Sequence, residues 1–144
     1  MTIDATIDDL IRTFDTMPSW EDRYAQLISM GKGLAAYPEE HRSERYQVKG
    51  CQSQVWLFPS FDGNLVHFEA DSDALIVKGL IALLMSIYND RTPQEIVATP
   101  TDFIQRIGLE QHLSQNRANG LVAMLKQIKL YALAFSAMQK GRPA

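Results

Sequence analysis

The first thirty residues carry two stripes of apolar side chains with the spacing of amphipathic helices. The first stripe consists of Ile3, Ile7, Leu10, Ile11, Phe14 and Met17. Pro18 ends this predicted helix, and Ser19 has the side chain of an N-cap for the next one. The second stripe consists of Trp20, Tyr24, Leu27 and Ile28, with Gly31 and Gly33 at its end. The pattern therefore predicts two successive helices.

The pattern then changes from helix to loop and from loop to strand. Residues 35–50 follow neither period, which predicts a long polar loop. Residues 54–58 are rich in β-formers, and residues 65–70 alternate apolar with polar side chains. Pro59 and the sequence Asp62-Gly63-Asn64 supply turn chemistry between these two runs. We therefore predict one β-hairpin and a small antiparallel sheet.

After the hairpin the pattern is helical again. Residues 71–90 are apolar on nearly every side, which is typical of a central buried helix, and Asp71 or Ser72 is its expected cap. Thr92 and Thr99 each stand directly before a proline, and this predicts the start of a short helix at both positions.

Ser114 is the expected cap of a long last helix. The predicted buried stripe of this helix is Leu121, Leu125, Ile128, Ala132 and Phe135. Residues 140–144 are expected to fray. Because no repeat or linker interrupts the chain, we predict a single domain over residues 1–144. Its fold class is α+β, a hairpin-based antiparallel sheet packed against several helices.

Composition narrows the function classes. The chain has 144 residues, a formal net charge of −3 and 22% charged residues, so it lacks the basic excess of a nucleic-acid-binding protein. Its N-terminus is acidic and has no signal-peptide n-region. The most apolar stretch, residues 79–88, is too short to span a bilayer. We expect a cytoplasmic protein that binds neither nucleic acid nor membrane.

Cys51 is the only cysteine, and it stands in polar company. A single cysteine excludes an intrachain disulfide. Gly50 permits a positive φ, and residues 52–54 (Gln-Ser-Gln) are poor core material. Arg42, Arg45 and Lys49 precede the cysteine and are candidates for lowering its pKa. The competing interpretation is a small hydrophobic side chain that fills the end of a strand.

Other chemistry has weaker support in the sequence. A cysteine hydrolase needs a histidine base, but no local signature joins Cys51 to His41, His67 or His112. His67, Glu69 and Asp71 alternate and offer metal ligands, although a solvated strand face produces the same pattern. Trp20 and Trp56 occupy a helix position and a strand position, which favours packing over ligand stacking.

Several segments resemble the SufE family of sulfur-acceptor proteins. They are residues 50–56 (GCQSQVW), 71–74 (DSDA), 76–80 (IVKGL), 113–121 with Arg117 and Gly120, and the early helical residues Trp20, Glu21 and Tyr24. The segments run in family order from about residue 10 to about residue 135. Asn116 stands where the family often has serine. The residues after Cys51 are more similar to SufE proper than to its relative CsdE.

The resemblance implies a role and a site. A PLP-dependent, SufS-like cysteine desulfurase would pass persulfide sulfur to Cys51, which would deliver it to a SufBCD-like iron–sulfur scaffold and so stimulate the desulfurase. The residues implied to support Cys51 are Gly50, Gln52, Ser53, Asp71, Asp73 and Arg117. PLP would belong to the partner, and this chain would hold no cofactor and no metal.

Two alternatives stay open. The chain could be a non-catalytic module that activates a desulfurase allosterically, or a CsdE-like acceptor that serves another sulfur pathway. In every case it is not itself a desulfurase. Its oligomeric state is open between monomer and homodimer.

Overall fold

The computed structural model describes residues 1–140 and begins with the two predicted helices. They are α1 (Ile3–Asp15) and α2 (Trp20–Lys32). The Ser19 hydroxyl accepts a hydrogen bond from the Asp22 amide at 3.2 Å, which confirms Ser19 as the N-cap of α2. Met17 lies beyond the end of α1, so the first predicted stripe is one residue shorter in the structure.

The predicted hairpin is confirmed, with longer strands than the pattern indicated. Strand β1 (Val55–Phe61) pairs with the antiparallel strand β2 (Val66–Ser72), with Val55 opposite Ser72 and Phe61 opposite Val66. Pro59 lies inside β1, so its assignment to the turn was wrong. A two-stranded sheet has only edge strands, and a proline without an N–H is tolerated there.

The long loop contains two short 3₁₀ turns, Glu39–His41 and Glu44–Tyr46, and then returns to the sheet. Gln47 bridges Trp56 at the free edge of β1, and the Val48 amide donates to the Val55 carbonyl at 2.8 Å. These contacts pull both ends of residues 48–55 together. The segment that contains Cys51 is therefore a short closed loop at one end of the sheet.

The central buried helix is α3 (Leu75–Tyr88). It packs closely on α2, because a Cβ added at Gly31 would stand 2.9 Å from the Gly79 nitrogen. The predicted cap at Asp71 or Ser72 was wrong: both residues are paired in β2, and Ala74 precedes the helix. The Ser72 hydroxyl accepts from the Ala74 amide at 3.2 Å.

Three short helices follow, α4 (Pro93–Ala98), α5 (Phe103–Ile107) and α6 (Leu109–His112). A capping box between Thr92 and Glu95 confirms the predicted start of α4. The second predicted short helix is present as α5, but it begins at Phe103 and not at Thr99. The Thr99 hydroxyl donates back to the Glu95 carbonyl at 2.7 Å and so belongs to the end of α4. Helix α6 was not predicted.

The last helix, α7 (Gln115–Lys140), begins as predicted. The Ser114 hydroxyl accepts from the Arg117 amide at 3.3 Å. The stripe residues buried in the core are Leu121, Leu125, Ile128 and Ala132, while Phe135 is partly buried. Of the predicted frayed end, Lys140 is helical, and residues 141–144 lie outside the described residues.

By length and composition alone, helix α7 is long and apolar enough to span a membrane. An 18-residue window within it has a mean hydropathy of 1.4, and 33% of that window is buried inside the fold. The apolar pattern of the sequence had singled out only residues 79–88. A long core helix of a globular protein can be equally long and apolar, and the buried stripe of α7 belongs to the same core as α3 and the hairpin. The architecture is α+β, as predicted.

Candidate functional site

The Cys51 loop has its glycine in a left-handed conformation. Gly50 has a φ of +91°, which few other residues adopt without strain. A Cβ added there would also stand 3.5 Å from the Ala123 side chain on α7. Gly50 therefore makes the turn that brings the next residue, Cys51, against α7.

The Cys51 thiol is half-buried and faces the backbone of α7. Its Sγ lies 3.7 Å from the carbonyl oxygen of Gly120, to which the S–H donates. A Cβ added at Gly120 would stand only 3.4 Å from Sγ. The glycine thus lets the helix backbone approach the sulfur closely.

Burial raises the pKa of the Cys51 thiol. The expectation that upstream cations lower it was wrong, because these cations interact elsewhere. Lys49 pairs with Glu44 at 3.5 Å, and the Arg45 guanidinium lies over its neighbouring tyrosine ring. At neutral pH the resting thiol is therefore mostly protonated.

The thiol opens onto a cavity of about 280 Å³ between its loop, α3 and α7. The apolar lining residues are Val77, Leu80, Leu121 and Met124, and the polar ones are Gln52, Ser53, Ser114, Asn116 and Arg117, with Cys51 and Gly120 completing the wall. Of the residues expected near Cys51, the structure brings Gln52, Ser53 and Arg117 to this cavity.

Two polar side chains of the first turn of α7 face the loop in different ways. The Asn116 amide donates to the Gln52 side-chain oxygen at 2.7 Å, a bond that ties the loop to the helix. The Arg117 side chain is exposed and makes no ion pair within residues 1–140. Arg117 therefore brings an uncompensated positive charge to the cavity wall.

Asp73 and Asp71 lie two residues apart and have different partners. The Asp73 carboxylate accepts from the Gln54 amide at 3.1 Å and so holds the downstream end of the Cys51 loop. Asp71 is not a cavity residue, and the structure corrects that expectation. It stands opposite Trp56, and because side chains alternate along a strand, it points away from the core face that carries Val55.

The three histidines do not line the cavity. His41 stacks on Phe58, His67 pairs with Asp90 at 3.0 Å, and the third, at position 112, stacks on Trp20. Within residues 1–140 no three histidine, cysteine or acidic side chains are grouped in a way that would hold a metal ion. The cysteine thus lacks a neighbouring histidine base.

The sequence analysis did not predict the apolar wall of the cavity. Arg117, Gly120 and Met124 follow one another at intervals of three and four residues, so they share one face of α7. That spacing was a usable signal, because Gly120 and Met124 directly precede two residues of the predicted stripe, Leu121 and Leu125. Val77 and Leu80 of α3 gave no such signal, since that helix is apolar nearly all round.

A family model decides the assignment. The model of the SufE family, described as an Fe-S metabolism associated domain, matches residues 8–132. The chain belongs to the SufE family. Membership associates it with iron–sulfur metabolism, in agreement with the resemblance noted in the sequence.

Individual relatives agree with the SufE assignment. An uncharacterized SufE-like protein from Rhizobium meliloti (strain 1021) is 41% identical over 129 residues, which cover 86% of this chain and 92% of the relative. A second uncharacterized SufE-like protein, from Rhizobium etli, is 40% identical over 130 residues and covers 87% of this chain and 88% of the relative.

A solved structure shares the SufE-family fold. The solution structure of a hypothetical protein from Thermus thermophilus superimposes with a TM-score of 0.77. The match covers 92% of this chain and 96% of that chain at 21% identity. At this identity the likeness supports the α+β fold alone.

Proposed function

We propose that this SufE-family chain carries sulfur on Cys51 for iron–sulfur cluster assembly. The donor is a SufS-like, PLP-dependent cysteine desulfurase that holds a persulfide, and the recipient is a SufBCD-like scaffold. The observation that carries the proposal is the geometry of the thiol. Cys51 lies in a closed loop, half-buried, and opens onto a cavity that it shares with the unpaired Arg117.

The proposed reaction is transpersulfidation. The Cys51 thiolate attacks the outer sulfur of the donor persulfide, an S–S bond forms at Cys51, and the donor S–S bond breaks. The donor cysteine leaves as a thiolate and takes up a proton, so that no external oxidant or reductant is needed. Because no second cysteine exists in the chain, the product persulfide cannot collapse into an internal disulfide.

The surroundings of Cys51 suit this reaction in two ways. Burial keeps the resting thiol mostly protonated, which limits reaction with other electrophiles before a partner docks. Arg117 and the amino end of α7 supply positive potential that favours a thiolate or persulfide anion in the cavity. The resting chain is thus protected, while the charged product is stabilised.

The proposal assigns no cofactor and no metal to this chain, since PLP belongs to the desulfurase. It places the reaction in the cytoplasm, where a lone thiol stays reduced. The partners are proteins of sulfur transfer, without nucleic acid or membrane.

Desulfurase turnover tests the proposal. We expect the intact chain to stimulate alanine formation from cysteine by a SufS-like desulfurase, because each acceptance clears the donor persulfide. The Cys51→Ser variant should give no stimulation. Equal stimulation by both proteins would contradict the proposal and indicate an allosteric activator instead.

A further inference from the structure

The last residue of α6, His112, contacts two side chains of α2. It lies two residues before Ser114, which lines the cavity. The imidazole ring of His112 stacks on the Trp20 indole, with centroids 3.9 Å apart and planes inclined by 18°. The Tyr24 hydroxyl donates to the carbonyl oxygen of the same histidine. One residue is therefore held by both its ring and its backbone, and we call this pair of contacts the His112 clamp.

The α2 side of the clamp is itself held firmly. The Arg23 guanidinium lies 5.0 Å from the centre of the Trp20 ring and also donates to the Met17 carbonyl at 3.2 Å. Gly108, with a φ of +86°, lies next to the indole, since a Cβ there would stand 3.6 Å from it, in ordinary van der Waals contact. The indole therefore offers a fixed surface to the histidine.

The clamp acts on the start of α7. His112 comes two residues before the cap Ser114, whose hydroxyl binds the Arg117 amide at 3.3 Å. The buried stripe that packs α7 into the core begins only at Leu121, so core packing fixes the body of the helix better than its first turn. The first turn is held instead by the bond between Asn116 and Gln52 and by the residues just before it, and the His112 clamp fixes the latter.

We propose that Trp20 and Tyr24 are positioning residues for sulfur transfer: through His112 they keep Arg117 at the wall of the Cys51 cavity. The effect on sulfur transfer rests on the proposed function. The placement of Arg117 at the wall of the cavity onto which the thiol opens is a property of the resting chain and can be measured without a desulfurase.

The experiment compares two alkylating reagents on the intact chain. Cys51 is the only cysteine, so iodoacetate and iodoacetamide report on one thiol, and the ratio of their rates reports the local positive charge. In Tyr24→Phe we expect the iodoacetate-to-iodoacetamide rate ratio to fall about threefold, because one hydrogen bond is lost. The Arg117→Ala variant shows how far the rate ratio falls when the positive charge of Arg117 is removed completely.

The matched control is Tyr88→Phe. The Tyr88 hydroxyl is buried and has no hydrogen-bond partner within the described residues, so its removal breaks no such contact. This variant should keep the wild-type ratio. His112→Ala provides a second test, because it removes the stacked ring at an exposed position and keeps the backbone carbonyl that Tyr24 binds.

A lowered ratio in Tyr24→Phe and His112→Ala, with Tyr88→Phe unchanged, supports the proposal. A wild-type ratio in both clamp variants beside a lowered ratio in Arg117→Ala overturns it. An unchanged ratio in Arg117→Ala also overturns it, because Arg117 would then exert no effect at the thiol. If the rate ratios of the variants behave as expected but the intact chain does not stimulate a desulfurase, the result counts against the proposed function alone.

Discussion

Two arginines of this chain have opposite surroundings, one beside the hairpin and one at the cysteine cavity. The Arg42 guanidinium donates to Glu39 at 2.9 Å and to Asp71 at 2.5 Å, and it lies 4.9 Å from the centre of the Trp56 ring. Arg117 makes no ion pair within residues 1–140. The paired cation joins parts of the fold, and under the proposed function the unpaired one serves the site.

The acidic groups of the two regions follow the same division. Burial tends to raise the pKa of Asp71, but hydrogen bonds from Arg42 and from the Ser72 amide outweigh it, and the pKa is lowered. Burial also raises the pKa of the Cys51 thiol, and the net direction there is upward. The hairpin region stabilises its charged carboxylate, while the thiol of the cavity region stays protonated and uncharged at rest.

The largest expected effect is on stability, at Arg42. In Arg42→Ala the half-buried Asp71 carboxylate loses its main partner, and we expect the free energy of unfolding to fall by about 2 kcal/mol. Urea denaturation measures it. Arg117→Ala is the control and should change stability by less than about 0.5 kcal/mol. Equal losses in the two variants would remove the distinction between the regions.

The second effect is on sulfur transfer, at Arg117. We expect Arg117→Ala to lower the rate at which Cys51 accepts sulfur from a SufS-like desulfurase about tenfold, because a positive charge beside the forming anion is lost. Arg117→Lys should recover part of this rate. Quenched-flow mass spectrometry measures it. A wild-type rate in Arg117→Ala would show that the unpaired cation is not used.

Gly120→Ala separates stability from function at a single position. Alanine favours a helix interior over glycine, so the free energy of unfolding should rise by up to about 1 kcal/mol. The new methyl group would stand 3.4 Å from the Cys51 sulfur and crowd an added sulfur atom. We therefore expect sulfur acceptance to slow several-fold in a more stable protein. A faster acceptance rate would contradict the cavity as the place of the persulfide.

The smallest effect is a shift in pH dependence. Because burial raises the thiol pKa, the midpoint of the alkylation rate of Cys51 with iodoacetamide should lie above the ordinary cysteine value of about 8.5. The rate should still be rising with pH where free cysteine levels off. A midpoint below that of free cysteine would mean that nearby cations dominate after all.

The sequence was sufficient for elements that contain their own signals. Ser19, Thr92 and Ser114 all cap helices as predicted, since a cap bonds to an amide three residues away. Thr99 also stands before a proline, but it does not cap the next helix, because its hydroxyl donates to the carbonyl of Glu95 in the preceding helix. The predicted cap at Asp71 or Ser72 was wrong because both residues pair with β1, a non-local interaction that the local sequence does not reveal.

The site was predictable in its centre and less so in its surroundings. Cys51 could be singled out by its thiol and Gly50 by its backbone freedom. The ion-pair partner of each charged side chain could not be predicted, because it depends on tertiary contacts. Arg42 and Arg117 look alike in sequence, yet only the fold places one against Asp71 and leaves the other unpaired. The clamp on His112 likewise joins residues far apart in the chain.

The most direct test of the central claim is mass spectrometry of Cys51 after turnover of a SufS-like desulfurase with cysteine. We predict that the intact chain gains the mass of one sulfur atom, that the addition maps to the Cys51 peptide, and that a thiol reductant removes it. Desulfurase stimulation without any sulfur on Cys51 would contradict the account.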